Sequence, residues 1–256
     1  MRNPFAIGKA AAYSTVVGLL LNLVPTSTEA GEWESSLTPY LWMAGLEGQV
    51  GAFAGLPPAE VDASFKDDLL GNINVAFMIA AEARKDRLGL IMDLAYVDVE
   101  ADAETRGVVY ESASLQSKLW LFSMAAAYRL EENDRGFLDL VGGVKYISWE
   151  NILSVGNQRV TRSASGKDDW YDPIIGFRGM YFLGNSAWFV RGSFIGGGFG
   201  VSSDSLWDLY VSLGYQWSDS FSTTLGYRYF DVSYEDDGFM VDMAFDGALV
   251  GLRWNW

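Results

Sequence analysis

The sequence predicts an all-β fold, a closed antiparallel up-and-down transmembrane β-barrel of about ten strands, and three observations lead there. The first is strict alternation in 247–256 (GALVGLRWNW). Trp256, Trp254, Leu252, Val250 and Ala248 fall on one face of an extended chain, with Asn255, Arg253, Gly251 and Leu249 on the other. Lipid suits the first face and a polar lumen suits the arginine. Pairing this strand with the first one removes the apolar edge that a soluble sandwich would leave exposed. The second observation is recurrence: segments able to span with about 9–11 tilted residues alternate with short and then long connections. The third is composition. Half the chain is apolar, 15% is aromatic and 28 residues are Gly. No apolar run reaches the roughly 18 residues of a helical span.

Taken in order, residues 1–30 read as a secretory signal and 31–256 as the barrel. Arg2 and Lys9 give a positive start, 10–24 is an apolar stretch too short for an anchor, and Thr28 and Ala30 are small residues at a cleavage site. Cleavage removes two cations and one acid, taking the formal charge from −15 to −16. That excess argues against nucleic acid or an anionic bilayer surface as partner. There is no Cys for disulfides and no His for the usual general base. Such a signal leaves periplasm, outer membrane or outside as destinations, of which the barrel pattern favours the bacterial cell outer membrane after signal-peptide cleavage, and no cofactor is expected.

Ten segments qualify as strands: 33–47, 73–84, 87–98, 116–129, 136–149, 170–182, 187–197, 206–217, 221–233 and 239–256. The connections at 84–87, 130–136, 183–186 and 218–220 are short. Those at 48–72, 99–115 and 150–169 are long and polar, 198–205 is intermediate and 234–238 is tight and acidic. Ten is the expected count because both termini must lie on the periplasmic side, with eight or twelve as the alternatives. In the first strand Leu37, Pro39, Leu41 and Met43 should face lipid and Thr38, Tyr40 and Trp42 the lumen, with a bulge or break at Pro39. Within 48–72, Val61, Ala63 and Phe65 alternate before a candidate helical turn at 67–70. That piece reads as a hairpin above the membrane or part of an extra strand. A short signature repeats in Gly176-Phe177-Arg178, Gly214-Tyr215-Gln216, Gly226-Tyr227-Arg228 and Gly251-Leu252-Arg253. Its inward Gly is expected to make room for long polar neighbours. Trp33, Tyr128, Tyr181, Trp188, Trp217 and Trp256 gather near strand ends, where interfacial girdles sit.

With the signal, the strand pattern of 33–256 and the terminal GLRWNW in view, the chain resembles the small Gram-negative outer-membrane β-barrels, the group with opacity-like and OmpW-like proteins. TPYLW (38–42), GFRG (176–179) and GGGFGVSSD (196–204) look like marks of an uncharacterised subfamily. The resemblance implies an assembly signal at Trp254 and Trp256, read by the barrel-assembly machinery, although the usual final residue is Phe. It transfers no activity.

Projecting the alternation inward yields a lumen charge network of Glu82, Asp93, Asp139, Lys145, Asp172, Arg178, Arg191, Arg228 and Arg253. A barrel of this size is little wider than its own side chains, so these groups should pair and plug it. The alternative is a narrow polar conduit tuned by the same residues. Asp98, Glu100, Asp102 and Glu104, and Asp231, Glu235, Asp236, Asp237 and Asp242, form acidic stretches whose oxygens suit divalent cations shared with lipopolysaccharide. Their spacing matches no EF-hand, and no protein metal site is expected. Gly196–Gly200 lacks the ending of a phosphate loop and reads as a strand-end bend. The expected function is a non-enzymatic integral outer-membrane barrel, structural or surface-interacting, in contact with outer-membrane lipid and lipopolysaccharide. A narrow pore for ions or small solutes is the alternative.

Overall fold

A computed structural model describes residues 33–51, 59–104, 112–156 and 161–256. The signal expected at 1–30 lies outside them. The described chain forms β1 (Glu34–Gly51), β2 (Ala59–Ala63), β3 (Ile73–Lys85), β4 (Leu88–Glu104), β5 (Ser112–Asn133) and β6 (Gly136–Gly156), followed by β7 (Thr161–Phe182), β8 (Trp188–Gly197), β9 (Ser205–Ser218), β10 (Phe221–Asp236) and β11 (Phe239–Asn255). All neighbours are antiparallel, and β1 pairs with β11, so β1 and β3–β11 close a ten-stranded barrel. The closure reaches the last residue: Ser35 N donates to the Trp256 carbonyl and Trp256 N to Ser35 O, at 2.8 and 3.0 Å.

The long connections expected at 99–115 and 150–169 are in large part strand, because β4 to β7 continue through them as paired ladders. Their Ser, Asn and Gly content hides a hydrophobic period, yet the backbone bonds remain available to pair. β5 and β7 reach 22 residues, about twice what spanning requires. The connection expected to be tight at 234–238 is tight, with Asp237 and Gly238 both at positive φ (43° and 84°), the geometry of a two-residue hairpin turn.

Pro39 marks a break without a bulge. The β1–β11 ladder skips Thr38 and Pro39 and resumes in the same register at Tyr40. On its other side β1 leaves β3 at the Pro39–Ile79 pair, and above that it pairs with β2 instead. The extra strand thus adds an eleventh element without entering the ring. Ser64 Oγ caps the helical turn Phe65–Leu69 by accepting from Asp67 N at 3.2 Å. Phe65 and Leu69 then line an apolar cavity of ≈ 80 Å³ over the gap between β1 and β3, where Trp42 N, lacking a β3 carbonyl, donates to Met78 Sδ.

Side chains alternate along the strands, and on β10 and β11 the sense of the alternation reverses partway up. Near the short turns, Leu225, Tyr227, Val250, Leu252 and Trp254 are exposed while Ser222 and Arg228 are buried. Further along the same strands Phe230, Val232, Val241, Met243 and Phe245 are buried, and Glu235, Asp242 and Asp246 point out. The exposed apolar surface forms a belt whose lower edge carries Trp33, Tyr128, Tyr181, Trp188, Trp217 and Trp256, all exposed as expected, and whose upper edge carries Trp120, Tyr171 and Trp207. From Trp120 to Tyr128, or Tyr171 to Tyr181, the chain runs about 26–33 Å at about 3.3 Å per residue. With a tilt near 40° the belt is about 20–25 Å tall, the thickness of an outer-membrane apolar band.

At Gly176 and Gly214 the inward glycine has a different reason from the one expected. A Cβ at Gly176 would lie 2.1 Å from the Phe194 carbonyl oxygen, and one at Gly214 would lie 2.2 Å from the Phe189 ring. Close approach by the neighbouring strand and by a packed ring, rather than space for arginines, excludes a side chain there.

Candidate functional site

The lumen holds two tiers of charge and an apolar layer above them. In the lower tier, nearest the short turns, Asp139 is fully buried and accepts from three arginines. Arg84 Nη2 and Arg129 Nε lie at 2.6 Å, and Arg178 Nη2 at 3.0 Å. Glu82 accepts from Arg178 through both carboxylate oxygens (2.5 and 3.1 Å), from Arg84 Nε (3.2 Å) and from Arg253 Nη2 (3.3 Å). Arg129 also donates to the more exposed Glu132 at the turn. Phe137 lies under the Arg129 guanidinium, 4.2 Å from its ring centroid. These bonds come from β3, β5, β6, β7 and β11, so the tier ties five of the ten barrel strands together. Charge-assisted bidentate pairs of this kind are the strong ones in a confined site.

The upper tier is balanced. Asp208 takes Lys145 Nζ at 2.9 Å and Arg228 through Nε and Nη2 at 2.9 and 2.7 Å. Arg228 reaches Asp93 at 3.4 Å and the Tyr40 hydroxyl at 3.2 Å, and that hydroxyl donates to Asp93 at 2.9 Å. The guanidinium of Arg228 also sits 4.9 Å above the Trp42 ring, and Lys145 Nζ 5.0 Å from the Phe230 ring. Those two rings belong to the next layer. There Phe245 meets Trp42, Trp149 and Phe230 at centroid distances of 6.3, 5.6 and 5.8 Å. Higher still, Trp170 stacks on Tyr234 at 3.8 Å. Each aromatic pair adds about 0.5–1.5 kcal/mol beyond burial of its area.

Of the nine side chains expected in the lumen network, Glu82, Asp93, Asp139, Lys145, Arg178, Arg228 and Arg253 meet in these two tiers. Asp172 does not. It is fully buried, but it accepts from Ser203 N (2.8 Å), Ser203 Oγ (2.5 Å) and Trp170 Nε1 (3.1 Å), fastening the β8–β9 connection to β7. Its register partner Lys145 turns to Asp208 instead. Arg191 borders the lower tier, yet among the described residues no carboxylate lies within ion-pair distance of it. Among the described residues its side chain donates to Met180 Sδ at 3.6 Å and lies 6.0 Å from the Phe189 ring centroid. Between the tiers lies a cavity of ≈ 220 Å³.

Sequence reasoning missed Arg84, Arg129 and Asp208. The signal was there in the period of two: Arg84 stands two residues from Glu82, and Asp208 two before Tyr210. Arg84 and Arg129 were hidden by assignment to strand ends beside turns.

The acidic stretches make local bonds. Asp98 accepts from Gln116 (2.8 Å) and Asn74 (3.3 Å), and Asp231 from Tyr229 (3.1 Å). Among the described residues no group of three or more acidic side chains converges as a metal site, and the side chains of Asp102 and Glu104 lie outside that description. Trp254 packs on Phe221 at 4.9 Å on the outer face, and Trp256 completes the pairing with β1.

No protein-family model and no curated protein matches the sequence. Among solved structures the chain is similar to the outer membrane protease OmpT of Escherichia coli, with a TM-score of 0.55 and 11% identity over 90% of this chain and 99% of that one. The translocator domain of autotransporter NalP from Neisseria meningitidis gives 0.49 at 11% identity over 96% and 97%. The attachment invasion locus protein Ail of Yersinia pestis gives 0.35 at 10% over 89% and 100%. The likeness to OmpT is one of fold, that of an outer-membrane β-barrel.

Proposed function

We propose that this chain is a non-enzymatic integral protein of the bacterial outer membrane, closed to solute flow, that acts through the strand-built structure standing above the bilayer. The observation that carries the reading is the apolar layer of Trp42, Trp149, Phe230 and Phe245 across the lumen. Phe230 is wholly buried, and the balanced tier of Asp208, Lys145, Arg228 and Asp93 closes off the space beneath it. A water path through such a layer would need several packed rings to part together. In this orientation the short turns face the periplasm, and the upper halves of β4–β7 offer a surface-interaction or structural role outside. Lipopolysaccharide surrounds the belt, divalent cations are candidate companions of the acidic upper face, and Trp254 and Trp256 serve the barrel-assembly machinery. Kinship with opacity-like and OmpW-like barrels, and export by cleavage of residues 1–30, belong to the same proposal.

Enzyme chemistry has little to work with here. The chain has no His, and the carboxylates of the two lumen tiers are committed to arginine and lysine. Planar-bilayer recording of the folded, purified protein tests closure. The expected trace is flat. Reproducible unitary steps that change size in Arg178→Ala or Arg228→Ala would establish the narrow pore instead.

A further inference from the structure

The lower tier has more cations than its carboxylates can serve. Arg84, Arg129, Arg178, Arg191 and Arg253 face Glu82 and Asp139 there, with Glu132 at the exposed rim. The surplus falls on Arg191. It has no ion pair among the described residues, and its Nε is buried with no hydrogen-bond partner. Arg178 and Arg253 line the same inter-tier cavity, and Glu82 there is already bonded to Arg84, Arg178 and Arg253. A second buried orphan lines the same cavity from β1, with β9 to β11 between it and the β8 arginine. Among the described residues Ser36 Oγ has no hydrogen-bond partner, and Ser36 is 4% exposed. Burying a guanidinium N–H and a hydroxyl without partners is costly, and two such groups facing one cavity point to something that meets them.

The space to meet them exists. Arg191, Arg253, Ser36, Glu82 and Phe137 line the inter-tier cavity and also a vestibule of ≈ 490 Å³ that is open at the short-turn mouth. They therefore form the partition between the two. The partition sets Arg191 and Arg253 against Glu82 alone, a local positive excess, while at the rim outside it Arg84 and Arg129 are offset by Glu34, Glu132 and Asp219. A small anion is drawn to such an excess, and a guanidinium and a hydroxyl facing one cavity suit an oxyanion.

We infer that the partition at Arg191, Arg253 and Ser36 is a binding site for a small oxyanion, a free phosphate or carboxylate entering from the short-turn mouth. The Arg191 fork and the Ser36 hydroxyl donate to it, and Arg253 adds charge. The site sits below the apolar layer, so it needs no through-path and stands whether or not the barrel conducts.

Calorimetric titration of detergent-folded protein with inorganic phosphate and with acetate, at matched ionic strength, tests it. At least one of the two is expected to bind with a dissociation constant of about 1 mM or tighter. Arg191→Gln is expected to weaken binding at least about tenfold, and Arg191→Lys, which keeps charge but loses the fork, by less. Ser36→Ala is expected to weaken it about threefold, in line with one lost hydrogen bond. Heat-modifiable gel migration checks that each variant is folded. The thermal midpoint supplies an independent reading: the bound anion raises it in the parent and leaves Arg191→Gln unmoved. No binding of either anion to the folded parent, or undiminished binding in folded Arg191→Gln, overturns the site.

Discussion

The two halves of this barrel follow opposite rules along the same strands. On β10, Ser222 and Arg228 point inward and Leu225 and Tyr227 outward in the lower half. A few residues later Phe230, Val232 and Tyr234 point inward, with Asp231 and Glu235 on the outer face. The lower half is a membrane barrel, apolar outside and held inside by ion pairs. The upper half is a soluble β-barrel, polar outside and packed with aromatics inside. The difference shows that the solvent on each side, not the strand, decides which face is greasy. It also explains the strand lengths. Once a dry core forms above the belt, β5–β7 have a reason to remain paired beyond the bilayer.

The sharpest way to break the comparison is to remove the lower half's hub. Asp139→Ala strips one carboxylate from Arg84, Arg129 and Arg178 and leaves their charges buried. The expected loss is about 3–5 kcal/mol in equilibrium unfolding from lipid vesicles. A loss under about 1 kcal/mol would mean that water, not Asp139, satisfies those arginines. In the upper half the matching deletion is apolar. Phe245→Ala removes the ring shared by Trp42, Trp149 and Phe230 and is expected to cost about 3–4 kcal/mol, with near-ultraviolet dichroism of the tryptophans reduced.

Outer-face substitutions sharpen the boundary. Leu225→Arg, mid-belt, is expected to cost about 2–4 kcal/mol. Ser233→Arg, on the outward parity of the upper half, is expected to stay within about 0.5 kcal/mol in the same assay. Equal costs would erase the boundary. The smallest effect belongs to Lys118–Glu150, at 3.9 Å on the upper outer face and about a third exposed. Lys118→Ala is expected to change stability by less than about 0.5 kcal/mol.

Much of this was legible in the residues. Period-two alternation and connection length were enough to read ten strands, the belt with its aromatic edge, and most inward charges. The lower half is readable because lipid imposes one consistent outer face. The upper half was misread as loop because its outer face is polar like any loop, while its inner residues, such as Trp149 and Trp170, stand among Ser, Asp and Asn. Nor could spacing reveal that Asp172 would pair with Ser203 rather than Lys145. That choice is set by where a connection folds back, and no strand period encodes it. The surplus at Arg191 was equally invisible, since a deficit of carboxylates appears only when neighbours around the ring are known.

One consequence follows from the early departure of β1 from β3 at Pro39. A cylinder made from a single chain is ordinarily thought to have its weak joint where first and last strands meet. Here that joint is long, running from Ser36–Asn255 to Gly51–Met240, whereas β1 and β3 share only the stretch from Glu34 to Pro39. Under tension or partial melting the wall would therefore part beside the first strand's sequence neighbour, with the Phe65–Leu69 turn as its latch and hydrocarbon rather than water waiting on the other side.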